Sequence, residues 1–187
     1  MQLVLASQSP RRRELLATAG FQFTVRARPV KELRGVNEAP RDYVSRLARE
    51  KAEAAWEDKQ EVVLGADTTV VLGDRVLEKP QDTNEAKEML RALSGVRHTV
   101  MTGICLRRPE GTVVDCEATH VYFAALSDSE IDDYTRSGEP MDKAGAYAIQ
   151  GLASKFVERI EGCYFNVMGL PLALFYRHWK TTRGSSA

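Results

Sequence analysis

The spacing of apolar positions along this chain changes several times, and each change marks an element. Residues 2–6 (QLVLA) are an apolar run too short for a helix and read as a buried strand. Ser9 then stands as an N-cap, Pro10 fits the first helical position, and Gly20 closes a helix. FQFTVRARPV reads as extended and KELRGVNEAP as a loop. Over 40–57 the pattern is that of an amphipathic helix, with Tyr43, Leu47, Lys51 and Ala55 spaced by four in one row. EVVLGADTTVVLG is one long strand, or two separated by a kink at Gly65, with a turn at Gly73–Asp74. A helix over 83–94 turns Ala86, Met89, Leu90 and Leu93 inward and stops at Gly95. HTVMTGICL and VVDCEATHVYFAAL are strands joined by a PEGT turn as in a hairpin. SDSEIDDYTRSG is a helix opened by a capping box of Ser127 and Glu130 and closed by Gly138. A polar loop, EPMDKAGAYAIQG, leads to a strand, SKFVERI, and NVMGLPLALFYRHW reads as a final helix. Alternating strands and helices followed by a hairpin predict an α/β fold with a mixed central sheet flanked by helices.

Composition narrows the classes. The 187 residues suit one domain, expected over 1–180, with TTRGSSA (181–187) as a frayed tail. Hydrophobic residues make up 43% and charged residues 28%, enough to bury a real core. Lys plus Arg and Asp plus Glu both number 26, so a general nucleic-acid-binding surface is not expected. No apolar run approaches membrane-spanning length and no signal-peptide pattern opens the chain. Three widely spaced cysteines lack metal-binding spacing, and together these features predict a cytoplasmic protein with reduced thiols.

Against that ordinary background, several features are candidates for chemistry. Arg11, Arg12 and Arg13 fall in the first turn of a helix, where the macrodipole makes each cation unfavourable by about 0.3–1 kcal/mol. Either they are solvated surface charges, or they serve an anion site in which helix N–H groups and guanidinium forks hold phosphate. On the macrodipole argument alone, removing Arg12 leaves the apo protein no less stable. Asp67 lies inside an apolar strand, where a carboxylate needs a cation, a metal or several donors. A metal ligand or general base beside the anion site is the functional reading, and magnesium suits it. Lys51 sits on the buried row of its helix, which snorkelling explains as well as a site role does. Lys79 precedes a proline that constrains its direction, and Glu32 stands in a polar loop. The loop holding Glu139, Asp142, Lys143 and Gln150 reads as a tight turn or a functional loop. No GxGxxG, Walker lysine loop, GxSxG or HExxH pattern is present.

Four ordered motifs, LASQSPRRREL, GADTTVVLGDRVLEKPQD, LSGVRHTVMTG and SGEPMDKAGAYAIQG, resemble the Maf family of nucleoside triphosphate pyrophosphatases. The resemblance runs from the N-terminus to about residue 175. It implies a two-lobed α/β fold with a central cleft, related to inosine triphosphate pyrophosphatases. It also implies hydrolysis of a nucleoside triphosphate to the monophosphate and pyrophosphate with a divalent metal, Mg2+ or Mn2+, and a homodimer. By position, the Ser-Pro-Arg-Arg signature falls on Ser9, Pro10, Arg11 and Arg12, and the cleft carboxylates on Glu32 and Asp67, the latter the proton acceptor. The phosphate-facing lysines fall on Lys51 and Lys79, and Arg11, Thr68 and Gln150 match positions linked to substrate choice. The EPMDKAGAYxIQG loop resembles the branch acting on dTTP and UTP, with Ala148 where that branch usually has glycine. A nucleotide-binding regulator of septum formation that turns nothing over is the alternative, and retention of Asp67 and Lys79 favours the enzyme.

Overall fold

The computed structural model describes residues 1–183. Its elements are β1 (Gln2–Leu5), α1 (Pro10–Thr18), β2 (Phe23–Val25), α2 (Pro40–Ala54), β3 (Glu61–Leu72), β4 (Arg75–Leu77), α3 (Thr83–Leu93), β5 (Arg97–Arg108), β6 (Gly111–Phe123), α4 (Asp128–Arg136), β7 (Val157–Glu161), α5 (Tyr164–Met168) and α6 (Leu172–Arg183). They build a seven-stranded sheet in the order β2-β1-β3-β5-β6-β7, with β4 on β3. β1 pairs parallel with β2 and β3, while β3–β4 and β6–β7 are antiparallel, so the sheet is mixed as its sequence predicts.

The chain divides into two compact units. The first holds Met1–Asp67, Thr102–Glu117 and the described part of Gly169–Ala187; the second holds Thr68–Met101 and Ala118–Met168. In the first unit, α2 lies almost on the backbone of the sheet, and two glycines make this possible. A Cβ at Gly65 would run into the Ala48 carbonyl and stand 2.8 Å from the Ala52 nitrogen; one at Gly103 would stand 2.8 Å from Ser45 N. Gly65 therefore marks no kink: β3 runs unbroken through it, and the glycine is required for space. Val4, Ala6, Ala48, Ala52, Ala55, Val63 and Cys105 fill the core beneath this contact. The second unit packs Leu90, Leu93, Val121, Phe123, Tyr134 and Phe156 around a separate core, with α4 opened by the expected Ser127–Glu130 capping box.

Several expectations need correction: the SKFVERI strand, for one, begins only at Val157, after a 3-10 turn over Leu152–Phe156. The helix over 40–57 ends at Ala54, and the extended segment after α1 forms a strand over only three residues. The final apolar stretch is two helices, α5 and α6, because Gly169 turns at φ +110° and Pro171 cannot continue a helix. α6 runs through residues 181–183 of the expected tail, and the rest of that tail lies outside the described residues.

Candidate active site

Strand β3 carries Asp67 at the end of its segment in the first unit, and α2 delivers a partner to it. Gly65 and Asp67 are two residues apart and share a strand face, and Lys51 sits between Ala48 and Ala52 on the helix packed against that face. The Lys51 ammonium lies 2.6 Å from Asp67 Oδ1 and 2.6 Å from Glu32 Oε1. Tyr43, Leu47 and Ala55 in the same row are buried, and the Lys51 side chain is only 14% exposed, so this buried-row lysine is also the ion-pair partner of two carboxylates. Glu32 reaches the ammonium from the loop before α2, where Tyr43 Oη donates to its carbonyl at 3.3 Å.

Asp67 is 8% exposed. Burial pushes its pKa up, and the nearby charges of Lys51 and Arg12 and the Lys51 hydrogen bond oppose that rise. The result is a carboxylate of raised basicity held in place by a cation, as proton abstraction from water requires. The two carboxylates converge on one cationic atom, a donor pair that suits Mg2+, which takes one or two carboxylates and fills its other positions with phosphate oxygens and water. Among the described residues no group of three or more His, Cys, Asp or Glu could hold a metal.

The three arginines of α1 separate sharply. Arg13 is exposed and Arg11 half-buried, but Arg12 is only 9% exposed. Its Nε donates to Gly169 O at 2.8 Å, and its Nη1 to Ala66 O at 2.9 Å and Ser7 Oγ at 3.1 Å. One guanidinium thus ties the end of β1, the residue before Asp67, and the turn between α5 and α6. Burial disfavours its charge, which the neighbouring Asp67 and Glu32 carboxylates support. This signal was available in the sequence, because Arg12 is three and four residues from the buried Leu15 and Leu16. Ser9 stands at the N-cap, but its side chain makes no capping bond and its N–H donates to Ser7 Oγ instead. α1 has no acidic residue in its first turn.

Thr68, Lys79 and Gln150 belong to the second unit. Lys79 is exposed on the segment after β4, whose Glu78 carbonyl accepts the Gly145 N–H at 3.1 Å. That bond fastens the DKAG loop to the Lys79 segment. Gln150 is exposed at the tip of a turn closed by Gly151 N–H donating to Ala148 O at 3.1 Å. The loop that reads as irregular contains short 3-10 turns at Glu139–Asp142 and Ala144–Ala146. Glu139, to which sequence reasoning gave no separate role, proves central to this loop.

The mixed sheet and flanking helices are shared with a solved structure: the Ham1 protein of Staphylococcus aureus superposes with a TM-score of 0.55 at 14% identity, covering 97% of this chain and 100% of that one. The chain belongs to the Maf-like protein family, whose model matches residues 2–182. A relative from Anaeromyxobacter dehalogenans is 57% identical over 175 residues, covering 91% of this chain and 89% of its own. Another from Vibrio cholerae is 53% identical over 172 residues, covering 91% and 92%. Both relatives are named dTTP/UTP pyrophosphatase. Among the described residues no helix is long and apolar enough to cross a membrane.

Proposed function

We propose that this chain is a nucleoside triphosphate pyrophosphatase acting on dTTP and UTP, releasing the nucleoside monophosphate and pyrophosphate. The observation that supports this most directly is the convergence of Glu32 and Asp67 on Lys51, at the buried end of a strand segment tied to the first turn of α1. Phosphoryl transfer asks a protein mainly to position groups and to stabilise charge. Asp67 accepts the proton of the attacking water. The water oxygen bonds to the α-phosphorus, and pyrophosphate leaves with the bridging oxygen. Lys51 orients Asp67 and keeps it anionic until that proton arrives.

Glu32 and Asp67 would hold Mg2+ or Mn2+. When bound, that ion neutralises charge on the phosphate oxygens. Ser9 and Arg11, at the start of α1, bind phosphate, favoured by the positive end of the helix macrodipole. Lys79 is assigned to phosphate, and Thr68 and Gln150 to substrate choice, by their match to the family motifs. Arg12 supports the site by positioning Ala66 and Asp67.

Incubation with a panel of nucleoside triphosphates and magnesium tests the reading. UTP and dTTP should yield monophosphate and pyrophosphate in equal amounts, and Asp67→Asn should lose about 10²–10⁴-fold in rate while remaining folded. Orthophosphate as product, full activity of Asp67→Asn, or turnover that survives excess chelator would overturn it.

A further inference from the structure

In the second unit, the turn that carries Gln150 is held at its Leu152 end by one pair of side chains. Glu139 follows α4 directly, past a left-handed Gly138 at φ +75°, and its N–H donates to Ser137 Oγ at 3.2 Å. Its Oε1 accepts the Tyr134 hydroxyl at 2.9 Å, and its Oε2 accepts the Leu152 N–H at 3.0 Å. Ala148 and Leu152 flank the turn, which Gly151 N–H closes by donating to Ala148 O, so the Tyr134–Glu139 pair grips it just after Gln150. Tyr134 is 3% exposed, and a hydroxyl so deeply buried needs a partner.

Gly151 supports the same conclusion. Its φ of −102° is open to any residue, so its backbone does not call for glycine. Space does: a Cβ there would lie 2.5 Å from Glu139 Oε2. The carboxylate occupies the volume that a side chain would take, directly against the residue after Gln150. Lys143 closes the back of the arrangement, donating from Nζ to the Glu139 carbonyl at 2.6 Å.

We propose that Tyr134 and Glu139 are positioning residues for base selection, fixing the Ala148–Leu152 turn so that the Gln150 amide meets the edge of a uracil or thymine ring. The inference rests on the reading that Gln150 reads the base. An amide can pair with N3–H and one carbonyl of such a ring, and a cytosine edge leaves part of that pairing unmade. A turn free to shift lets the amide follow either edge, so loosening the grip erodes selectivity before it erodes chemistry.

Steady-state kinetics on UTP and CTP, with a thermal melt of each protein, test this for wild type, Tyr134→Phe, Glu139→Ala, Glu139→Gln and Gln150→Ala. Tyr134→Phe keeps its edge-on packing against Phe156 and removes only the hydroxyl. Tyr134→Phe and Glu139→Ala should each lower the UTP-over-CTP ratio of kcat/KM by about fivefold or more, through a higher KM for UTP, with kcat on CTP held within about twofold. Glu139→Gln keeps one acceptor and should recover part of the ratio. Should Glu139→Ala fail to fold, Tyr134→Phe and Glu139→Gln decide the matter alone. A lowered melting temperature with an unchanged ratio, while Gln150→Ala narrows it, would make the pair purely structural and leave the base reading standing. An unchanged ratio in Gln150→Ala would remove the base reading, and this inference with it.

Discussion

Gly65→Ala is the substitution that links packing to chemistry most directly. The added methyl would collide with the Ala48 carbonyl oxygen and sit 2.8 Å from Ala52 N and 3.0 Å from Ala52 Cβ. All three atoms belong to α2, and the first two are helix backbone with no rotamer to change. Relief requires the helix to retreat from β3 by about 1 Å. Overpacking of this kind costs about 1–3 kcal/mol, and the upper end applies because backbone must move. Lys51 rides on the same helix turn, so the retreat stretches its 2.6 Å contact with Asp67 beyond hydrogen-bond range unless its side chain extends. A displacement of about 1 Å in a catalytic group costs on the order of 100-fold in rate. Urea unfolding and pyrophosphate release from UTP read the two consequences separately. A variant as stable as wild type would mean that this contact does not set the height of α2. A destabilised variant with full activity would mean that Lys51 follows the movement without loss to Asp67.

Arg12→Ala should destabilise the apo protein by about 2 kcal/mol or more, since the Ala66 and Gly169 carbonyls lose their donor in a buried place; equal or higher stability in a thermal melt would restore the macrodipole argument. Arg12→Lys should recover little, because an ammonium cannot reproduce the fork that spans two carbonyls. His98, 2% exposed and bonded through Nε2 to the Tyr147 hydroxyl at 2.8 Å, has its pKa lowered by burial to about 4. Between pH about 6.5 and about 4 the unfolded chain takes up a proton that the folded chain refuses, so stability falls as the pH is lowered across that window, by on the order of 3 kcal/mol. His98→Phe should flatten that part of the urea-midpoint profile, and an unchanged slope would assign the acid sensitivity to other groups. Ser127→Ala should cost about 1 kcal/mol by removing the side-chain acceptor for Glu130 N–H, measurable as a shift in urea midpoint.

Much of the fold was legible because period and punctuation agreed. The four-residue row on α2, the Ser127–Glu130 box on α4 and the apolar run of β3 each place an element from local pattern alone. Local pattern failed where a residue served a distant neighbour. Gly65 left the choice between one strand and two open, since nothing nearby in sequence shows that a helix from residues 40–54 will rest on it. The break at Gly169–Pro171 was visible in residue types, yet the apolar run across it masked the boundary. The Gly169 carbonyl also has a partner 157 positions away in Arg12.

The candidate site divides along the same line. Asp67 announced itself because charge inside an apolar strand is costly and therefore conspicuous, whereas Lys51 on its buried row was equally open to snorkelling. Glu32, with a side chain 46% exposed in a polar loop, incurs no such cost and became visible only through resemblance to known motifs. Arg12 and Glu139 were hidden differently, each inside a charged or polar cluster that looks uniform by composition. Their separation from neighbours of like type is a matter of phase: Arg12 shares a helix face with Leu15 and Leu16, and Glu139 fills the space left by a glycine whose φ needs none. Within a run of charged residues, the informative member is the one whose position in the local repeat points inward. It must find main-chain partners, and those partners are the segments that carry the chemistry.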